Sequence, residues 1–365
     1  MRLIAGSRKP VLALLLLAPT IPELLTGSTP ITMLFYSPLK FLLQMVYIVS
    51  LYGSGALLVR EATIRWNKGW GTTLLLGAAY GIMEEGIAVH TFFEPYGNPV
   101  GIFGTYGRAF GVNWVWAVGL TIFHSIYSIS LPILLAGLLF PEVSRKQWLD
   151  RGLIGIAMAV YLGFILMFYS FAPYKPDTPD LVRFLGIVVL LVVTAYIVPK
   201  DILKPSTGTP KGKAVVLSIS AALFFASWVV VGFAATQNSI PPVVSIVFII
   251  AVSLISTRLM LSRVGDHENE MSKLAVVTGL MSTLFLWDIL MEFTAVPGIL
   301  FVTGAFIYFL WRLRNNLAPK ICCHSIYRFA GSVNAVHYEL SGYDGQIILH
   351  RQPSYCYILE ARALF

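Results

Sequence analysis

Apolar residues run along this chain in blocks of about 17 to 25, parted by short polar stretches, until the character changes near residue 320. Blocks of that length match a hydrocarbon layer about 30 Å thick, at a helical rise of about 1.5 Å per residue. Ten spans are predicted: Val11–Leu25, Leu39–Leu58, Gly71–Val89, Trp114–Phe140, Leu153–Ser170, Val182–Val198, Val215–Ala235, Val243–Leu261, Leu274–Phe293 and Gly298–Leu313. The first is short and broken by Pro19 and Pro22. Arg2, Arg8 and Lys9 ahead of "VLALLLLA" also give it the layout of a signal peptide, but no small-x-small cleavage site follows, so it is read as a retained helix. The prediction is an all-α, polytopic helical membrane domain over residues 1–320. Residues 321–365 read as a cytoplasmic tail, either a small β-rich appendage or a disordered one, because "SGYDGQ" separates two short strand-like runs.

Composition sharpens this picture. Hydrophobic residues make up 57% of the chain and charged residues only 12%, against about 25% in ordinary globular proteins. The lipid bilayer is therefore the first partner. The net charge of +8 does not point to nucleic acid, because the lysines and arginines sit in short loops and form no basic patch with a polar aromatic platform. Those loops alternate between rich and poor: Arg2, Arg8 and Lys9, then Lys40, then Arg60, Arg65 and Lys68, then Arg108, then Arg145, Lys146 and Arg151, and so on to the last span. Under the positive-inside rule this predicts an even number of spans in the plasma membrane with both termini cytoplasmic and the 90–113 loop outside. The three cysteines, Cys322, Cys323 and Cys356, all lie in the tail, where their spacing with His324, His337 and His350 matches no common zinc module.

Polar residues inside the spans carry the candidate chemistry. "GAAYGIMEEGIAVH" places Glu84 and Glu85 side by side in an apolar, small-residue helix, about 6–8 Å below its outer end. Ionisable groups in spans are costly and mark functional sites. Adjacent α-helical residues diverge by about 100°, so one glutamate at most is expected to face any single neighbour. Thr121, His124 and Ser128 recur on one face of the fourth span, and Pro132 one turn on predicts a kink. Asp288 and Glu292 share a face of the ninth span, and Glu23 occupies the outer end of the first. Glu84, Glu85 and His124 are the candidate catalytic or proton- and ion-relay residues. Tyr80, Thr121, Ser128, Asp288 and Glu292 are candidates for binding substrate or ion. A metal site would pair His124 with Glu84 or Glu85, so a divalent metal, protons or other cations are the cofactors in view. His90 is expected to be solvated at the outer interface, and Arg60–Glu61 to form an interfacial pair. The glycine- and aromatic-rich loop "TFFEPYGNPVGIFGTYGRAFGVNW" lies directly above the carboxylates and reads as a lid, a re-entrant segment or a plain interfacial loop.

Glu84-Glu85 followed by "TIFHSIYS" on the next span resembles the CAAX-processing and bacteriocin-processing family of intramembrane proteases. That resemblance implies glutamates and a histidine that activate water for peptide hydrolysis. The chain departs from the family's pattern at Val89, where an arginine is expected, at Leu120, where a phenylalanine is, and in having no histidine on a later span. "PELLTGSTP", "YGSGALLVRE", "LLLGAAYGIMEEG" and "GVNWVWAVGLTIFHSIYSISLPI", over residues about 10–150, resemble a group of uncharacterised prokaryotic multi-pass membrane proteins and imply no particular activity. The function these observations favour is ion- or proton-coupled transport of a small solute, with Glu84, Glu85, His124 and Asp288 lining one cavity and binding or relaying cations or protons; the alternatives are a membrane-embedded glutamate/histidine hydrolase acting on a peptide or other substrate, and a non-catalytic scaffold.

Overall fold

A computed structural model describes residues 6–96, 100–172, 174–200, 202–203, 214–237, 240–263, 270–330, 339–343 and 346–350. Its contacts divide the chain into two units, Met1–Phe306 and Ile307–Phe365.

The described residues of the first unit are mostly helical. In chain order it contains α1 (Arg8–Pro19), α2 (Met33–Tyr36), α3 (Pro38–Ile48), α4 (Ser54–Arg65), α5 (Trp70–Gly81), α6 (Trp114–Phe123) and α7 (Leu131–Leu139). These are followed by α8 (Arg151–Phe171), α9 (Thr178–Ile197), α10 (Ala214–Gln237), α11 (Pro242–Arg263), α12 (Glu270–Thr294) and the start of α13 (Ile299–Ala330). Among the described residues, seven helical stretches are long and apolar enough to cross a membrane: Pro38–Arg65, Trp114–Leu139, Arg151–Phe171, Thr178–Ile197, Ser218–Gln237, Pro242–Met260 and Glu270–Thr294. The remaining predicted spans are helical too, over residues 8–24, 70–88 and the first part of α13.

Local sequence explains the ends. Asp150 and Asp177 cap α8 and α9 by accepting the backbone N–H groups of Leu153 and Asp180. Small residues set the closest helix contacts. A Cβ on Gly77 would lie 2.9 Å from the Cα of Ser125, and one on Gly279 would lie 2.2 Å from the carbonyl oxygen of Ser218. Glycine alone fits both places, and it brings α5 against residues 124–130 and α12 against α10.

Four helices change register in mid-course. π-helical segments interrupt them at Thr20–Leu24, Val49–Gly53, Ile82–Ala88 and His124–Ser130. Pro22 lies within the first, and its missing N–H excludes an ordinary α-helical bond there. Pro132 falls in the first turn of α7, just after the fourth segment, so the π turn takes up the irregularity expected as a kink at that proline.

Two expectations about the span ends are corrected. Arg60 and Glu61 are buried, not interfacial. Their ion pair clamps residues 141–150: Arg60 donates to the carbonyls of Val143, Ser144 and Lys146 and stacks over Trp148, while Glu61 accepts the Trp148 N–H at 2.8 Å. His90 is fully buried as well, its Nδ1–H donating to the Tyr174 carbonyl at 2.6 Å and its ring edge-on to Tyr169. Both residues sit under loops that fold back over the helix end, which a depth scale along one helix does not register.

The connection after residue 88 is packed. Strands β1 (Arg108–Ala109) and β2 (Val112–Asn113) pair antiparallel. Asn113, the buried last residue of β2, donates to the carbonyls of Thr91 and Glu94 and accepts from Arg108. Phe92 and Phe93 are buried against Phe184, and Phe103, Trp116 and Trp228 form a cluster in which each ring stacks on the other two. In the second unit α13 runs on to Ala330, and β3 (Glu339–Tyr343) pairs antiparallel with β4 (Gln346–His350), Glu339 opposite His350.

Candidate functional site

Each of the four π-helical segments delivers a polar side chain to one region. Thr20–Leu24 carries Glu23, Val49–Gly53 carries Tyr52, Ile82–Ala88 carries Glu84 and Glu85, and His124–Ser130 carries His124 and Ser128. Such bulges are rare and are found disproportionately at functional sites. Their geometry also corrects the expectation that only one glutamate would face a given neighbour. The i→i+5 bonding of a π turn holds more than four residues, so adjacent side chains diverge by less than the α-helical 100°. Both glutamates therefore reach His124.

Glu85 Oε1 lies 3.0 Å from His124 Nε2, and Glu84 Oε2 lies 3.2 Å from His124 Nδ1. One donor atom from each of Glu84, Glu85 and His124 falls within 4.8 Å of the others, and all three residues are buried. Ser128 Oγ is 2.9 Å from His124 Nδ1 and fixes the ring from below. The other oxygen of Glu85 accepts from the Thr91 hydroxyl, which itself accepts the Trp116 indole N–H at 3.0 Å. An indole N–H only donates, so the direction of this relay is set: Trp116 to Thr91 to Glu85. It ties the folded connection above the site to the site itself. Gly81 makes the helix approach possible, since a Cβ there would lie 2.8 Å from the Cβ of His124.

Aromatic rings wall the group. Tyr52 stacks on His124 with centroids 6.2 Å apart, Tyr80 lies tilted at the same distance, and Tyr161 stacks on Tyr80 at 5.8 Å. The Tyr52 hydroxyl donates to Glu23 Oε1 at 2.8 Å, and Thr29 donates to Glu23 Oε2 at 2.7 Å. Glu23 is thus a third carboxylate held one tyrosine away from the histidine. At the centre, Glu84 Oε2 has the His124 ring as its partner, and the buried Tyr80 hydroxyl lies beside the group.

Of the residues singled out in the sequence, Tyr80, Glu84, Glu85, His124 and Ser128 come together. Thr121 packs its backbone against Gly81 one turn away. Asp288 and Glu292 do not join them, contrary to expectation. Asp288 is fully buried and accepts from Thr303 of α13 at 2.5 Å. Glu292 accepts the backbone N–H groups of Gly298 and Leu300, capping the first turn of α13. Both therefore serve the α12–α13 junction. Tyr52 and Thr91 were missed: a tyrosine in an apolar span reads as core, and a threonine just past a span reads as loop.

The helical fold and this site define a polytopic membrane protein with a buried Glu–Glu–His group. The chain belongs to an uncharacterized membrane protein family, whose model matches residues 12–318. The match takes in every residue of the group and extends well past residues 10–150, while giving no support to the protease resemblance. No curated protein and no solved structure matches the chain.

Proposed function

We propose that the protein is a membrane-embedded hydrolase in which Glu84, Glu85 and His124 hold a divalent metal ion of the zinc type. The observation that carries this reading is the convergence of three buried metal-competent groups, Glu84, Glu85 and His124, with one donor atom from each within 4.8 Å of the others. Two buried carboxylates beside one imidazole carry uncompensated negative charge, which is costly away from water. A divalent cation balances both carboxylates with the imidazole neutral. Carboxylate oxygen and imidazole nitrogen suit zinc, and three protein ligands leave the open fourth position of a catalytic site. Bound there, such an ion supplies an activated water and polarises a carbonyl or phosphoryl oxygen.

The chain's own residues do the rest. Thr91 holds one Glu85 oxygen so that the other is aimed inward, and Ser128 orients the His124 ring, as partners of metal ligands commonly do. Glu23, positioned by Tyr52 and Thr29, is the carboxylate left free of the ion to take and return a proton. The Tyr80 hydroxyl, buried beside the group, is a donor for a developing oxyanion. Transport drew on Asp288 as a further acid in the same cavity; that carboxylate bonds Thr303 instead, and the hydrolase reading is preferred.

The experiment is thermal unfolding of detergent-purified protein with zinc, manganese or a chelator. An ion present at about 100 times its Kd stabilises the native state by about 2.7 kcal/mol. Zinc should raise the wild-type midpoint, and His124→Asn should remove the response while remaining folded. Equal midpoints with ion and with chelator in the wild type would overturn the metal site. We further propose ten spans with both termini cytoplasmic, supported by the alternation of basic loops. Phe110→Cys, at an exposed tip of the 90–113 connection, should then react with an impermeant maleimide on intact cells. Labelling only after lysis would reverse the orientation.

A further inference from the structure

A second feature lies apart from the Glu–Glu–His group. Between α1, the α3–α4 helix and α8 runs a groove with a cavity of about 420 Å³, lined among others by Val11, Leu15, Val49, Leu57, Ile156 and Val160. It has room for about fourteen waters at roughly 30 Å³ each, but offers them almost nothing to bond. Its two hydroxyls are those of Ser50 and Ser54, and the second is already spent on the carbonyls of Ser50 and Leu51. An apolar cavity of this kind stays dry and takes hydrocarbon. Ile156, 46% exposed, marks the side on which it opens.

One end of the groove is basic. Ser7 donates to the Trp148 carbonyl at 3.0 Å, which pins the start of α1 against the segment leading into α8. Exposed Arg8 and Lys9 follow Ser7 in the chain, and exposed Arg145, Lys146 and Arg151 lie within three residues of Trp148, so this contact sets basic residues on both sides of the end where Val11 and Leu149 line the cavity. Of the two acids in residues 141–151, Glu142 is exposed and Asp150 is engaged in capping α8. Arg8, Val11 and Leu15 fall at i, i+3 and i+7 of α1, so a single helix face passes from cation to apolar wall. Arg65 lies at the same end, donating to the Leu149 carbonyl.

An apolar trench ending in a cluster of cations matches a molecule with a hydrocarbon chain and an anionic head. We infer that this groove binds one anionic phospholipid, an acyl chain between α1 and α8 and the phosphate on the basic cluster at the start of α1. The inference does not depend on the metal reading, and its test is separate.

The test uses full-length protein extracted in mild detergent, with native mass spectrometry and thermal unfolding in added phosphatidylglycerol or phosphatidylcholine. One phosphatidylglycerol should stay bound, and it should raise the unfolding midpoint where phosphatidylcholine does not. Arg8→Gln with Lys9→Gln should weaken retention at least tenfold. Leu15→Trp, which fills the groove, should abolish it; because Leu15 packs on Gly53, Ile156→Trp at the open side serves if that variant misfolds. Zinc-dependent stabilisation should be unchanged in these variants. Equal retention of the two lipids, or wild-type retention by a folded groove-filling variant, would overturn the site and leave only an annular lipid.

Discussion

Adding one methyl group at Gly81 tests the closeness on which the site depends. A Cβ there would lie 2.8 Å from the Cβ of His124 and 3.4 Å from the Cα and carbonyl oxygen of Thr121. A Cβ is fixed to its backbone, so no change of rotamer relieves the contact. Since ordinary contact begins near 3.4 Å, the two helices must part by about 0.6 Å. Overpacking of this kind costs about 1–3 kcal/mol, offset by about 1 kcal/mol from the better helix preference of alanine. The net stability loss expected for Gly81→Ala is therefore modest, about 0–2 kcal/mol. Its effect on the site is larger. The same shift takes Glu85 Oε1 and His124 Nε2 from 3.0 Å to about 3.6 Å, outside hydrogen-bond range. Zinc affinity, read by isothermal titration in detergent, should fall at least tenfold. Gly163→Ala, on α8 with nothing within 4 Å of the new Cβ, is the matched control: unchanged zinc affinity and stability equal to or slightly above wild type. If Gly81→Ala behaves like Gly163→Ala in both assays, the α5 helix does not approach His124 this closely and the site geometry is wrong.

Glu84→Gln and Glu85→Gln keep shape while removing charge, so each should insert and fold but lose zinc-dependent stabilisation; persistence of that stabilisation in both would exclude them as ligands. Arg60→Ala should destabilise by about 3–5 kcal/mol, because it leaves the buried Glu61 short of its partner and three carbonyls without a donor. Arg60→Lys should recover little of this, since an ammonium cannot span those carbonyls and stack on Trp148; denaturant unfolding reads both. Burial lowers the pKa of His90 below the usual 6.5, against the opposing hydrogen bond to the Tyr174 carbonyl. The folded protein therefore keeps that ring neutral, and its contribution is complete above about pH 6.5 and is lost as pH falls below it. His90→Gln should flatten the fall in unfolding midpoint between pH 7 and 5, and an unchanged slope would show that other groups set it.

Run length made the helical membrane architecture legible, because hydrocarbon thickness fixes how many apolar residues a span needs. The same reasoning put Glu84, Glu85 and His124 at similar depth on consecutive spans, and the structure places them in contact. What a 3.6-residue period could not express was the π-helical turn. It turns both glutamates toward one histidine, and its counterparts at Glu23 and Tyr52 add two polar groups from the first two spans. Asp288 and Glu292 mislead for a related reason. Their i, i+4 spacing is a true shared face, but the needs of the next helix decide what that face does: Glu292 satisfies N–H groups at the start of α13, and Asp288 holds Thr303. Arg60 and His90 sit where a single-helix depth scale reads water, yet residues 141–150 cover the first, and Tyr169 near the end of α8 and Tyr174 just past it cover the second. Loop packing of that kind is written in long-range contacts such as Arg60 to Lys146 and His90 to Tyr174, which no local pattern carries.

The claim that Glu84, Glu85 and His124 hold a metal is tested most directly by X-ray absorption at the zinc edge of protein loaded with one equivalent of zinc. The account predicts a first shell of one imidazole nitrogen and oxygens from carboxylate and water, at about 2.0–2.2 Å, with no sulfur. The imidazole signature should vanish in His124→Asn. A shell without imidazole, a shell containing sulfur at about 2.3 Å, or an imidazole signature that survives His124→Asn would contradict it.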